Sequence, residues 1–217
     1  MGILMDRLTT TEAAVAAGVS VPQINRIIDE KILPEDLYST SPVRTFRTDA
    51  ALLIAFYFET AEWLTMNARL ETIRNARAHC ASWDEWKDCT VGDHFLTIRF
   101  SDLWKEVDGR LRRLAEAREM VVEDPEILSG TPVIRDTRIP VHDVAALADA
   151  GTPVEEILES YPRLNPAQVE LASIYAKAVP QRGRPRRLSI PGATVVSVTK
   201  GRLRGPLPRE GEACSNS

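Results

Sequence analysis

Asn25 and Arg26 are the side chains best typed and spaced for sequence-specific chemistry. An Asn carboxamide suits adenine and an Arg guanidinium suits guanine, each through paired hydrogen bonds in the major groove. They follow Ser20 and Gln23, whose spacing is that of a helix cap, so they fall early on a helix, where a reading helix meets base edges. Catalytic and metal-binding chemistry finds less support. His79, Cys80, Cys89 and His94 match none of the usual paired-ligand spacings, so neither metal nor cofactor is expected. Asp88, Asp93 and His94 read as surface polar residues. The chain has no phosphate-cradling glycine loop, nucleophile elbow or HExxH-like pair, and the sequence reading is of a protein that is not an enzyme.

The elements around Asn25 and Arg26 read as a helix-turn-helix. Thr9 and Glu12 form a candidate capping box, Gly18 ends the short helix they start, and Ser20 with Gln23 begins the next. Ile24, Ile27 and Ile28 recur at helical spacing and leave Asn25, Arg26 and Asp29 on another face. The bland alternative is two capped helices that merely pack, with Arg26 solvated. Val43–Arg47 alternates like a strand, and Thr48 starts an apolar helix through Trp63. This order of helix, helix, strand and helix resembles the winged reading heads of MerR-like regulators. The resemblance places Arg44 and Arg47 against phosphates; the alternative is a solvated strand edge that discourages aggregation.

Further on, Leu96–Phe100 alternates again, and Ser101 or Asp102 is placed to cap a helix carrying Leu103, Val107, Leu111 and Leu114. Trp63, Trp83, Trp86 and Trp104 read as core. With 217 residues, 44% of them hydrophobic, the chain can bury a substantial core. Its longest apolar run, Ala50–Phe58, is far shorter than the roughly 20 residues of a membrane span. No signal-peptide pattern follows Met1, and three cysteines do not suggest a disulfide framework, so a cytoplasmic protein without membrane contact is expected.

Residues 121–180 form a module of their own pattern. Gly130-Thr131-Pro132-Val133-Ile134 and Thr137-Arg138-Ile139-Pro140-Val141 suggest short strands joined by a turn at Arg135–Thr137. Thr152-Pro153-Val154-Glu155 and Asn165-Pro166-Ala167-Gln168 each read as a capping box with proline at the first helical position, and Pro162 forces a turn between them. From Glu123 to Ala178 this pattern, with its Tyr161-Pro162-Arg163-Leu164 turn, resembles the domain-of-unknown-function 433 family. Members are similar to VapB-type winged-helix antitoxins, whose usual partner is a PIN-like ribonuclease toxin. The resemblance implies DNA binding through this module. The residues themselves point elsewhere, because the helix from Asn165 to about Ala178 is apolar around most of its circumference. They suit dimerisation or partner docking better than groove reading.

Charge divides the chain. Residues 121–180 hold ten acids against four bases, whereas 181–217 hold eight bases against two acids. Arg182-Gly183-Arg184-Pro185 matches an AT-hook core, which lays arginines into the minor groove; a basic linker with only phosphate attraction is the alternative. Ala193–Lys200 has strand propensity and is suited to adding to a partner's sheet edge or folding back on this chain. In VapB-type antitoxins such a segment wraps the toxin. By that resemblance Val196, Val198, Lys200, Arg202, Leu203 and Arg204 are the partner-binding candidates, with Arg202 and Arg204 matched to the ribonuclease site. Candidate DNA contacts are Ser20, Asn25, Arg26, Arg44, Arg47, Arg182 and Arg184.

The expected architecture is mainly α with short β-strands: two helix-turn-helix or winged-helix-like domains at 1–118 and 119–180, then an extended tail at 181–217. The expected function is a type II antitoxin that neutralises a PIN-like toxin and, as a homodimer, represses its own operon by binding operator DNA. The alternative is a stand-alone helix-turn-helix transcriptional regulator.

Overall fold

In the computed structural model, which describes residues 6–92 and 96–181, the first apolar residue of the described chain, Leu8, is fully buried in the short strand β1 (Arg7–Thr9). Thr9 then caps α1 (Thr10–Ala17), and the reciprocal Thr9–Glu12 box expected from the sequence is formed. Gly18 closes α1 with φ +72°, a left-handed value that favours glycine, and α2 (Val21–Asp29) follows after Ser20. Ile24 and Ile27 are buried, so the period read in the sequence sets the inner face of α2.

A 3-10 turn at Glu35–Leu37 leads to β2 (Tyr38–Ser39) and β3 (Thr45–Arg47). These strands pair antiparallel, and β1 lines the other side of β3, in the order β1-β3-β2. Phe46 sits opposite both Leu8 and Tyr38, which plugs the small sheet onto the core. The chain passes directly into α3 (Thr48–Glu59), buried from Thr48 to Tyr57.

That helix is shorter than expected from the sequence. The Thr60 hydroxyl and N–H both donate to the Phe56 carbonyl, at 2.7 and 3.1 Å, and the chain turns. Trp63 is 82% exposed, so it neither extends α3 nor enters the core. The other tryptophans fare differently: Trp86 is fully buried, and Trp83 and Trp104 are half-buried against one another with ring centres 5.8 Å apart.

Thr65 caps α4 (Met66–His79), a helix for which the sequence reading has no counterpart because its apolar face is narrow. A second 3-10 turn (Asp84–Asp88) precedes the antiparallel pair β4 (Thr90–Gly92) and β5 (Thr97–Arg99). The longest helix, α5 (Ser101–Met120), buries Val107, Leu111, Leu114 and Ala117. Its N-cap is Phe100, without a side-chain bond; Asp102, one of the expected caps, instead accepts from Lys105 at 2.9 Å.

β6 (Val121–Val122) pairs with β7 (Val133–Ile134), followed by α6 (Val141–Asp149), α7 (Val154–Ser160) and α8 (Pro166–Ala178). The Arg135–Thr137 turn forms as read, with an isolated bridge between Val133 and Pro140. The Asn165–Gln168 box is complete, at 2.9 and 3.0 Å. The Thr152 box is not formed: Pro153 is the N-cap of α7, which puts Thr152 one residue too far out, and its N–H goes back to the Leu147 carbonyl. The described residues are therefore mainly helical with short strands, and no helix among them is long and apolar enough to cross a membrane.

Two apolar clusters fill the interior, and α8 serves both. Val169, Ala172 and Tyr175 belong to the cluster built by α6, α7 and the end of α5, while Ala178 joins the cluster around α1, α3 and α4. Ile174 and Val179 pack on both. Residues up to Gln181 accordingly make one compact unit.

Polar groups reinforce that join. Glu12, 1% exposed, accepts from the Thr9 N–H at 2.8 Å and forms an ion pair with Arg118 near the end of α5. Thr11 donates to the Ala178 carbonyl at 2.6 Å, and His142 donates to the Val179 carbonyl at 2.8 Å. The Tyr175 hydroxyl donates to Glu123 at 3.2 Å, and burial, then that carboxylate, push its pKa up to about 12.

Arg118→Ala leaves the Glu12 carboxylate buried without its cation and is expected to cost about 2–3 kcal/mol, below the full value for a buried pair because Arg118 is partly solvated. The urea midpoint measures this. The double variant Glu12→Gln/Arg118→Ala recovers part of the loss, since it removes the stranded charge.

Candidate nucleic-acid interface

The surface around α2 is set by its caps. Gln23 Oε1 accepts from both the N–H and the hydroxyl of Ser20, each at 2.8 Å, so Ser20 is engaged in starting the helix. Asn25 and Arg26 follow on the first turn and a half of α2, with Asn25 half-buried and Arg26 exposed.

The structure joins two residues that sequence spacing keeps apart. Arg44, entering β3 from the β2–β3 hairpin, donates from Nη1 to Asn25 Oδ1 at 2.7 Å. That contact fixes the carboxamide orientation by occupying its oxygen, leaving the amide N–H groups of Asn25 as donors. It also ties the hairpin to the second helix, nineteen residues away in sequence.

Arg26 donates to Glu30 at 2.7 Å across one helical turn, and this bond holds its guanidinium above the ordinary arginine range. The pair is solvent-exposed, so it is weakly held and readily exchanged for another acceptor. Arg47 differs: two of its nitrogens face the buried Asp49 carboxylate, at 3.1 and 3.2 Å, at the start of α3. That forked pair commits Arg47 to anchoring β3 on α3.

Arg7 is a basic neighbour of this surface that no motif in the sequence marks. It stands opposite Arg47 across β1 and β3 and donates to Thr45 at 3.4 Å. Only strand pairing brings it to this surface, and three residues of strand leave no readable signal.

The second candidate reading helix is placed quite differently. Val169, Ala172, Tyr175 and Ala178 of α8 are buried against α1, α5, α6 and α7. Its exposed charges are also engaged: Glu170 pairs with Arg113, and Lys177 lies 3.8 Å from Asp149. In this arrangement α8 is largely a core helix, and its exposed side, with Glu170 and Lys177, carries one acid and one base rather than a basic face.

Arg182, Arg184, Val196, Val198, Lys200, Arg202, Leu203 and Arg204 lie outside the described residues, as does His94. Cys80 and Cys89 are buried, and burial, then the neighbouring Cys80 thiol, push Cys89 up to about 12. His79 meets the Asn75 carbonyl at 2.6 Å. Among the described residues no three His, Cys, Asp or Glu side chains are grouped to hold a metal ion.

Comparison with known proteins gives two matches. The family described as "Protein of unknown function (DUF433)" matches residues 121–176. The chain is also 46% identical over 193 residues to "Uncharacterized protein y4eO" of Sinorhizobium fredii (strain NBRC 101917 / NGR234), covering 86% of this chain and 87% of that protein. No solved structure matches the chain.

The geometry of α2 depends on Gly18, where an added Cβ would meet Arg110 Nη1 at 2.9 Å and adopt an unfavourable positive φ. Gly18→Ala is expected to lower stability by about 1–2 kcal/mol, read from the urea midpoint, with Arg110 displaced from its bond to the Ala17 carbonyl.

Proposed function

The chain belongs to the family of the Sinorhizobium fredii protein y4eO, and we propose that it is a DNA-binding antitoxin that represses its own operon and neutralises a PIN-like ribonuclease toxin. One observation carries the DNA-binding part. A capped helix-turn-helix with Asn25 and Arg26 early on its second helix is braced by a hairpin arginine, Arg44, 2.7 Å from Asn25. In this reading Arg26 leaves Glu30 for a guanine edge, Asn25 offers its amide to an acceptor, and Arg44 and Arg7 meet phosphates beside it. Ser20 and Arg47 act by holding the elements in place. A homodimer would present two such surfaces to a two-fold symmetric operator.

The antitoxin part is supported by the DUF433 match at residues 121–176, read with the resemblance of that family to VapB-type antitoxins. The toxin is assigned to residues 181–217, with Val196, Val198, Lys200, Arg202, Leu203 and Arg204 as its contacts, and Arg182 and Arg184 add a basic arm for DNA. The helix-turn-helix reading needs no protein partner, which favours a stand-alone transcriptional regulator as the second interpretation.

Arg26→Ala is expected to weaken operator binding roughly ten- to a hundredfold and relax the preference at one base pair, measured by fluorescence anisotropy on operator variants. A loss equal on all sequences would make Arg26 a phosphate contact instead.

Co-expression with the adjacent open reading frame tests the partner. The full chain is expected to co-purify with that product, and a chain ending at Pro180 to keep its melting temperature while losing the complex. A complex retained by the truncated chain would move the toxin contact into residues 1–180, and none with either form would favour the stand-alone regulator.

A further inference from the structure

In residues 121–180, where acids outnumber bases ten to four, three of the four bases border one groove. Arg135 and Arg138 come from the turn after β7, and Arg163 from the turn between α7 and α8. The fourth base, Lys177, faces Asp149 instead. Among the described residues neither Arg138 nor Arg163 has an acidic partner, so two cations stand available at the rim.

The groove is built rather than incidental. Thr137 donates its hydroxyl to the Ile134 carbonyl at 2.7 Å and accepts from the Ile139 N–H at 3.1 Å, which locks the turn that carries Arg135 and Arg138. Arg135 donates twice to the Glu119 carbonyl, at 2.6 and 3.0 Å, which fixes its guanidinium and leaves other N–H groups unspent. Asp136 holds a left-handed φ of +60° at the tip, and Leu128 and Ser129, next to the lining residue Ile127, also have positive φ. Backbone held this way persists where surrounding contacts enforce it. Val122, Ile127 and Val133 supply an apolar wall.

We infer that this groove binds a compact phosphate ester of nucleotide size. Its volume of about 540 Å³ is that of a small-molecule site, and three arginines with one aspartate give a lining charge of +2, which complements a phosphate monoester dianion. Arginine forks suit phosphoryl oxygens, and the aliphatic wall suits the body of a nucleoside. The surrounding excess of acid repels a long polyanion, which favours a small anion over a nucleic-acid backbone.

The test is calorimetric titration of the full chain with adenosine 5′-monophosphate, inorganic phosphate and a short DNA duplex. The monophosphate is expected to bind more tightly than phosphate alone, and Arg138→Gln/Arg163→Gln to weaken it by about tenfold or more at unchanged melting temperature. Arg138→Lys/Arg163→Lys keeps the charge without the fork and is expected to bind at an intermediate level. No binding of the monophosphate, or binding equal in the Gln variant, overturns the inference. Duplex binding that is lost in the Gln variant, without monophosphate binding, overturns it in favour of a backbone contact.

Discussion

The buried Glu12 carboxylate is the constraint on which the rest of this structure turns. It closes the box that starts α1, and its other oxygen is met by Arg118 from the end of α5. An ionised carboxylate that is 1% exposed is costly without both partners. The first helix of the helix-turn-helix therefore cannot form its cap and its packing independently of a helix end more than a hundred residues away. One glutamate thus serves a local rule, the capping box, and a long-range one, the placement of α1 on α5.

α8 completes that join. Its residues serve both apolar clusters, and the Ala178 and Val179 carbonyls at its end accept from Thr11 and His142. A helix apolar around most of its circumference is one that is packed on several sides, and α8, burying Val169, Ala172, Tyr175 and Ala178, contacts α1, α5, α6 and α7. The packing thus leaves α8 only a narrow exposed side, on which Glu170 and Lys177 carry opposite charges. The arginines of residues 121–180 stand on loops instead: the turns that carry Arg135, Arg138 and Arg163.

Much of this was legible from the residues. Caps with reciprocal partners, at Thr9–Glu12 and Asn165–Gln168, marked helix starts correctly because the signal is local and doubly specified. Thr152 misled because proline at the next position can itself be the N-cap. Trp63 misled because hydrophobicity says nothing about where a helix stops when a threonine hydroxyl folds back on the preceding turn. α4 went unread for want of a wide apolar stripe. At the candidate interface, residue types gave Asn25, Arg26 and Arg44, but not that Arg44 grips Asn25 or that Asp49 engages Arg47. Such pairings depend on tertiary approach between elements, which spacing along the chain does not encode.

Charge decides how such a protein could use DNA. Residues 1–180 carry twenty-nine acids against nineteen bases, a net charge of −10, while 181–217 carry +6. Nonspecific affinity for a duplex grows with the number of phosphates neutralised and the counterions released. For a unit this acidic, with Arg26 and Arg47 already facing carboxylates, attraction to arbitrary sequence would be correspondingly weak. Under the proposed reading, discrimination would then fall to the few groups near α2, where exchanging the exposed Glu30 for a correct base edge is cheap and for a wrong one brings no return. Bulk attraction would fall to the basic residues from Arg182 onward. In an antitoxin that segment would face competing demands from toxin and DNA, so that binding of the toxin along residues 196–204 would alter DNA affinity through electrostatics alone, without moving α2.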